Sequence, residues 1–387
     1  MPGYDIAIIG AGIHGAGIAQ AAAAAGYRVV VIEKNHVAAG TSSKSSKLIH
    51  GGLRYLESGQ FSLVRKSLKE RAILCRIAPT LVKLQPFYIP VYKQTQRRPW
   101  QIIVGLSIYA LLGNLHKHNL FRQIKPDDFN HENYLDKTGL QKIYQYYDGQ
   151  TNDVKLTQAV MNSAKLLGAE LICPAKIMSV NKTGGIFNIA YSKDDKEKNI
   201  TANLIVNAAG PWVNEVLASV KEKTTSLNIE LVQGTHLIID APVPGGIFYL
   251  EAPDSRAVFV MPYEINGELK TMIGTTEKKF TGSADEVLPL QDEIEYLLAV
   301  YKKYFPGVKN ISVIQQFSGL RVLPVTDKNM FSRPRDTILR WSSPGILSLY
   351  GGKLTAYRST ADLVMKKIRP FLVKRRRIAS TDQLFLF

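Results

Sequence analysis

The stretch Asp5-Ile-Ala-Ile-Ile-Gly10-Ala-Gly12-Ile-His14-Gly15-Ala-Gly17, followed by an alanine-rich run to Gly26 and by Tyr27-Arg-Val-Val-Val-Ile-Glu33, decides the fold. Asp5 to Ile9 is apolar on both faces, as a strand inside a parallel sheet must be. Gly10 permits a tight turn, Gly12 lets the backbone approach a pyrophosphate, and Gly15 lets helix and strand pack closely. Ile18 to Gly26 reads as a helix. Its start offers free N–H groups and a partial positive charge to phosphates. Tyr27 to Ile32 is a second buried strand, and Glu33 stands where an acid accepts ribose hydroxyls. A lone G-x-G-x-x-G says little; strand, glycines, helix, strand and acid in that order point to a bound dinucleotide. NAD and FAD both fit at this point.

Working outward, Gly40-Thr-Ser-Ser-Lys-Ser-Ser-Lys-Leu-Ile-His50-Gly51-Gly52-Leu-Arg54-Tyr55-Leu56 is dense in hydroxyls, glycines and cations. Such a segment holds the second half of a dinucleotide, or is a solvated loop. Ser348-Leu-Tyr-Gly351-Gly352-Lys353-Leu354-Thr355, before an amphipathic run to about Ile368, is a second glycine-bearing helix start. Leu204-Ile-Val-Asn-Ala-Ala209-Gly210 is a buried strand ending in small residues, able to pass close to a ligand. Ile177 to Val180, Ile186 to Tyr191 and Ile200 to Ala202 suggest a small antiparallel excursion tipped by Lys193 to Lys198. Ile229 to Asp240, Gly246 to Leu250, Ala257 to Met261 and Leu269 to Gly274 suggest an antiparallel wall carrying His236, and Leu290 to Phe305 a surface helix.

The chain has 387 residues, 45% hydrophobic and 21% charged, which excludes disorder as the main state. Lys+Arg 49 against Asp+Glu 32 leaves +17, favouring anionic partners. The basic residues are dispersed and no recognised module appears, so no nucleic-acid partner is expected. Two cysteines, Cys75 and Cys173, make neither a disulfide framework nor a metal cluster; no metal is expected. No signal peptide is visible. Trp100 to Leu115 is apolar with basic flanks, and Phe61 to Lys83 is basic and amphipathic. Each suits either a membrane surface or a core helix with solvated ends.

Six strings carry a resemblance. They are Thr41-Ser42-Ser43 with Ser45-Ser46-Lys47-Leu48-Ile-His50-Gly-Gly-Leu-Arg54-Tyr55-Leu-Glu57; Asn207-Ala-Ala209-Gly210-Pro-Trp212-Val213; Gly234-Thr-His236; Ile273-Gly274-Thr275-Thr276; Ser318-Gly-Leu-Arg321-Val-Leu-Pro324; and Gly351-Gly352-Lys353-Leu354-Thr355-Ala-Tyr357-Arg358. In them the sequence resembles the FAD-dependent, quinone-reducing glycerol-3-phosphate dehydrogenases. The likeness runs from about residue 4 to 370. Members continue into a C-terminal helical domain; the sequence here ends at Phe387, so the resemblance is to a short form without it. His14 stands where relatives commonly carry Asn or Thr.

The resemblance implies an α/β fold: a glutathione-reductase-like Rossmann FAD domain with an antiparallel β-sheet substrate domain. The expected division is 1–90, 145–215 and 318–372 for the FAD domain, 91–144 and 216–317 for the substrate and membrane-facing domain, and 373–387 as a basic, apolar tail. It implies oxidation of sn-glycerol 3-phosphate to dihydroxyacetone phosphate, with electrons passed to a quinone. Expected cofactor residues are Gly10, Gly12, Gly15, Glu33, Thr41, Ser42, Ser43, Ser46, Lys47, Leu48, His50, Ala209, Gly210, Gly352, Lys353, Leu354 and Thr355. A phosphate needs cationic, preferably bidentate partners, and Arg54, Tyr55, Thr275, Arg321, Arg335 and Lys353 are expected there, with Arg358 a further candidate cation. His50, His236 and Lys353 are the candidate bases, and the sequence does not choose among them; His236 reads equally as a structural residue of its strand. The protein is expected in the cytoplasm, peripheral on the anionic inner face of the membrane, with a homodimer left open. Two rival readings stand: an amine or amino-acid oxidase of the same superfamily, and an inactive flavin-binding membrane scaffold.

Overall fold

The computed structural model describes residues 3–129, 134–325 and 337–387. The apolar Tyr4–Ile9 strand is buried from Asp5 on, between two parallel neighbours. Ile6 pairs with Val29 on one side and Leu204 on the other. The order is Ile338–Ser343, Ile346–Tyr350, Lys196–Asn207, Tyr4–Ile9, Val29–Ile32, Glu170–Ile172. The expected excursion is there, as Lys176–Thr183 and Ile186–Lys193. Its third strand runs unbroken into the parallel core as Lys196–Asn207, because no Gly or Pro interrupts Ile200 to Leu204.

The Ile13–Ala24 helix packs against Asp153–Leu166 and Tyr357–Ile368. It is buried on every side, which its alanines allow by bringing backbones close. A Cβ on Gly17 would lie 2.5 Å from the Tyr357 ring. Ile378 and Ala379 donate backbone N–H bonds to the Ala24 carbonyl, and Leu386 N–H donates to Ile77, so the tail lies against this layer.

The second sheet runs Lys278–Phe280, Ile229–Asp240, Glu268–Gly274, Ala257–Ile265, Ile247–Glu251, Val82–Tyr92, Leu140–Thr151, Leu48–Ile49. Ser312–Pro324 pairs with Ile229–Asp240 along its whole length. Val82–Tyr92, Leu140–Thr151 and Ser312–Pro324 all lie within it, whereas the expected boundaries cut across them. Long ladders such as Val82↔Thr151 to Tyr92↔Leu140 bind them to this sheet. The expected surface helix forms as Gln291–Tyr304, with one face exposed and the other buried. Its Leu297, Val300, Tyr301 and Tyr304 are buried in one cluster with Leu237, Ile239 and Phe248. In a separate cluster Phe61–Ile77 and Pro99–Leu112 place Leu68, Ile102, Leu106 and Tyr109 with Phe87 and Tyr144. Between Thr41–Ser43 and Leu48–Ile49 the chain passes from the dinucleotide turn to the second sheet.

Candidate active site

The glycine turn is built by exclusion. Gly10 has φ +100°, and a Cβ on Gly15 would fall 1.9 Å from the Gly10 carbonyl oxygen. Gly12 caps the Ile13–Ala24 helix without a side-chain hydrogen bond of its own, and Ser42 Oγ accepts from Ile13 N–H at 2.9 Å. Glu33 lies just past Val29–Ile32, where its carboxylate accepts from Ala11 N–H at 2.7 Å and Asn35 N–H at 2.9 Å. Those bonds orient the carboxylate and leave acceptor capacity for hydroxyls. Ala209 and Gly210 follow the Lys196–Asn207 strand, and a Cβ on Gly10 would meet the Ala208 carbonyl oxygen at 2.8 Å.

His14 joins the two glycine-bearing helix starts. A Cβ on Gly352, which has φ +120°, would lie 2.1 Å from His14 Nε2. Both His14 ring nitrogens are buried and have no hydrogen-bond partner among the described residues. Burial, with Lys66 nearby, lowers its pKa to about 4, so the ring is neutral at neutral pH. Buried polar atoms normally find partners. Orphaned nitrogens where two glycine turns meet fit a polar ligand such as the phosphates and ribityl chain of FAD.

The hydroxyl-rich segment threads between the sheets. Thr41 Oγ1 donates to the Leu320 carbonyl at 2.7 Å, Ser43 Oγ donates to Gly40 at 3.0 Å, and Ser46 Oγ lies 3.0 Å from His236 Nε2. The Lys47 ammonium donates to Ser43 O at 2.6 Å and pairs with buried Asp153 at 2.7 Å. That ammonium therefore serves the loop's own structure. Leu48 pairs with Gln150 in the second sheet, and His50 N–H donates to Thr355 Oγ1 at 3.2 Å. Leu354 to Ala356 form a single turn leading into Tyr357–Ile368.

On the second sheet, His236 is buried and stacked on Phe317 with ring centroids 5.0 Å apart. Burial first, then the cations Lys47 and Arg321, hold its pKa well below the ordinary imidazole value. A Cβ on the facing Gly274 would sit 2.1 Å from the ring, so the His needs that glycine. Thr275 Oγ1 lies 3.4 Å from Arg321 Nη2. Arg321 Nη1 reaches Glu277 Oε1 at 2.8 Å, and Arg54 Nη2 stands 4.0 Å from Glu277 Oε2. The Lys353 Nζ lies 3.6 Å from the centre of the Tyr55 ring, at cation–π distance.

Arg54, Tyr55, Thr275, Arg321, Lys353, His236 and Ser46 are thus linked through direct contacts or chain adjacency. Arg358 is drawn elsewhere: its Nε and Nη2 donate to buried Glu70 at 2.9 and 2.6 Å. Arg335 lies outside the described residues. Sequence reasoning missed Glu277; its only signal was its place directly after the matched Gly274-Thr275-Thr276. A cavity of about 350 Å³ opens beside Arg54, lined also by Glu57, Arg97, Gln101, Ile102 and Tyr249.

Comparison with known proteins gives the same direction. The family model described as FAD dependent oxidoreductase matches residues 5–358. The chain is 36% identical over 381 residues to a glycerol-3-phosphate dehydrogenase of Pseudomonas tolaasii, covering 96% of this chain and 73% of that one. It is 35% identical to a D-erythritol 1-phosphate dehydrogenase of Brucella abortus, covering 94% and 73%. Among solved structures, the glycerol-3-phosphate dehydrogenase of Bacillus halodurans complexed with FAD aligns with TM-score 0.76 and 26% identity, over 100% of this chain and 68% of that one.

Proposed function

The chain belongs to the FAD dependent oxidoreductase family, and on that premise we propose that it oxidises sn-glycerol 3-phosphate to dihydroxyacetone phosphate. The observation that carries this reading is the convergence of Arg54 and Arg321 on one point, linked through Tyr55 to Lys353 of the glycine-bearing helix start. A phosphate monoester carries nearly two negative charges, and paired guanidiniums answer it bidentately. The cradle of Gly10, Gly12, Gly15, Glu33, Thr41, Ser42, Ser43, Ser46, Ala209, Gly210, Gly352, Leu354 and Thr355 would hold FAD. When bound, FAD supplies the hydride acceptor.

The chain's own residues bind and move the proton. Arg54 and Arg321 fix the phosphate and so orient the C2 carbon. Lys353 lies against the Tyr55 face, beside the two arginines in the chain of contacts, and remains a candidate for either the phosphate or the proton. The proton of the C2 hydroxyl goes to an imidazole, His50 or His236, or to Lys353. His236 is supported by its neutral state; the bond from His50 N–H to Thr355 Oγ1 places the His50 backbone beside the second glycine-bearing helix start. The start of Tyr357–Ile368 offers partial positive charge to the oxidising end of the site.

The acceptor in this reading is a quinone, reached at a membrane surface. Among the described residues no helix is long and apolar enough to cross a membrane. Pro99–Leu112 exposes Trp100, Val104 and Leu111, and Phe61–Ile77 exposes Phe61 beside Arg65 and Lys69. Apolar side chains among cations suit the anionic inner face of a membrane. The test of the function is anaerobic. Glycerol 3-phosphate should bleach the yellow colour of the flavin-loaded protein within the mixing time, faster than D-erythritol 1-phosphate does. No bleaching by either, or bleaching by glycine instead, sinks the reading.

A further inference from the structure

Glu277 follows Thr275 and Thr276 and lies beneath the two arginines assigned to the phosphate. Its side chain is 4% exposed, while those of Arg54 and Arg321 are each 27% exposed. The acid is therefore the buried member, and the two arginine side chains are the more exposed ones. Its own backbone is fixed. Its carbonyl accepts from Arg256 Nη1 at 3.2 Å, and Thr276 Oγ1 before it accepts from Thr235 N–H at 2.8 Å and donates to Glu293. Glu293, itself buried at the start of Gln291–Tyr304, also accepts from Thr235 Oγ1 at 2.8 Å. One buried carboxylate thus anchors the segment that carries another.

We propose that Glu277 is a positioning residue that holds Arg54 and Arg321 together as a single phosphate clamp. The inference rests on the function proposed above. Two neighbouring guanidiniums repel each other, and each long side chain keeps rotamer freedom that a ligand must remove. Immobilising such a side chain on binding costs conformational entropy. An acid hydrogen-bonded to Arg321 at 2.8 Å and facing Arg54 at 4.0 Å meets part of that cost before the substrate arrives. The negative charge also has an opposite effect, since it lowers the positive potential that attracts a dianion. The two effects differ in sign, so the experiment decides between them. If charge alone matters, E277Q binds phosphate more tightly; if position matters, E277Q binds it more weakly.

The flavin-loaded E277Q and E277D proteins would be compared with the natural one. Glycerol 3-phosphate turnover would be measured, together with the dissociation constant of inorganic phosphate by calorimetry. In E277Q both KM and the phosphate constant should rise at least about tenfold, with kcat kept within about twofold and FAD content unchanged. E277D keeps the charge at shorter reach and should fall between. Phosphate binding as tight as natural or tighter in E277Q, or a loss confined to kcat, overturns the proposal. Should E277Q fail to fold, E277D carries the test, and natural or tighter phosphate binding there overturns it equally. If the natural protein binds phosphate but does not oxidise glycerol 3-phosphate, the substrate assignment fails and the phosphate titration still judges Glu277.

Discussion

Replacing His14 with Asn should remove an acid-sensitive part of the stability of the FAD-free protein. In the folded chain the ring's pKa is about 4, against an ordinary value of 6.5. Desolvation is the main cause, with Lys66 acting in the same direction. The folded value is the lower one, so below 6.5 the unfolded chain takes up a proton that the folded chain refuses. Stability must therefore fall as the pH drops from 6.5 towards 4, and it is unaffected by this group above that window. At pH 5 the loss is about 2 kcal/mol, taking 1.36 kcal/mol per unit of pKa difference. His236 works in the same sense but is present in both proteins, so it cancels in the comparison. The assay is urea unfolding of the natural and H14N proteins at pH 7 and pH 5. The natural protein should lose about 2 kcal/mol more than H14N on acidification. Equal losses would refute the claim that the His14 ring nitrogens are buried and uncharged.

Arg321→Ala removes one guanidinium of the clamp and should raise the KM for glycerol 3-phosphate by roughly 30-fold or more, about 2 kcal/mol, with FAD still bound; an unchanged KM takes Arg321 out of the site. Asp153→Asn strands the buried Lys47 ammonium and should destabilise by about 3–5 kcal/mol, read in thermal unfolding; a melting temperature close to natural would contradict the buried pair. Trp100→Ser with Leu111→Ser should reduce sedimentation with anionic lipid vesicles while turnover with a soluble dye acceptor continues; unchanged sedimentation removes this helix from the membrane reading.

The dinucleotide unit was legible because its information is local. Gly10, Gly12, Gly15 and Glu33 fall within one turn–helix–strand; backbone geometry demands Gly10 and Gly15, Gly12 faces Ser42 Oγ, and the Glu33 carboxylate accepts from Ala11 N–H. The hydroxyl-rich segment was legible as a string, but not how each residue is used. Lys47 looks like a ligand-binding cation until Asp153 is found beside it in space. Glu277 shows the same blindness: it sits next to matched residues, but its meaning comes from Arg54 and Arg321, which only the folded sheet brings near. Long-range pairing also explains the domain boundaries. The basic helical reading runs on to Lys83, whereas the helix ends at Ile77 and Val82–Tyr92 is a strand that its ladder with Leu140–Thr151 assigns to the second sheet.

The parallel layer has a consequence for how the molecule is made. Tyr4–Ile9 finds Val29–Ile32 early, but its other flank is closed by Lys196–Asn207, which in turn takes Ile346–Tyr350 as neighbour. At about 5–20 residues per second, the ribosome needs about 10–40 s to deliver that second neighbour after the first strand emerges. For that interval the nascent chain carries an apolar ribbon with one bare row of amides and carbonyls, open to any other unfinished chain it meets.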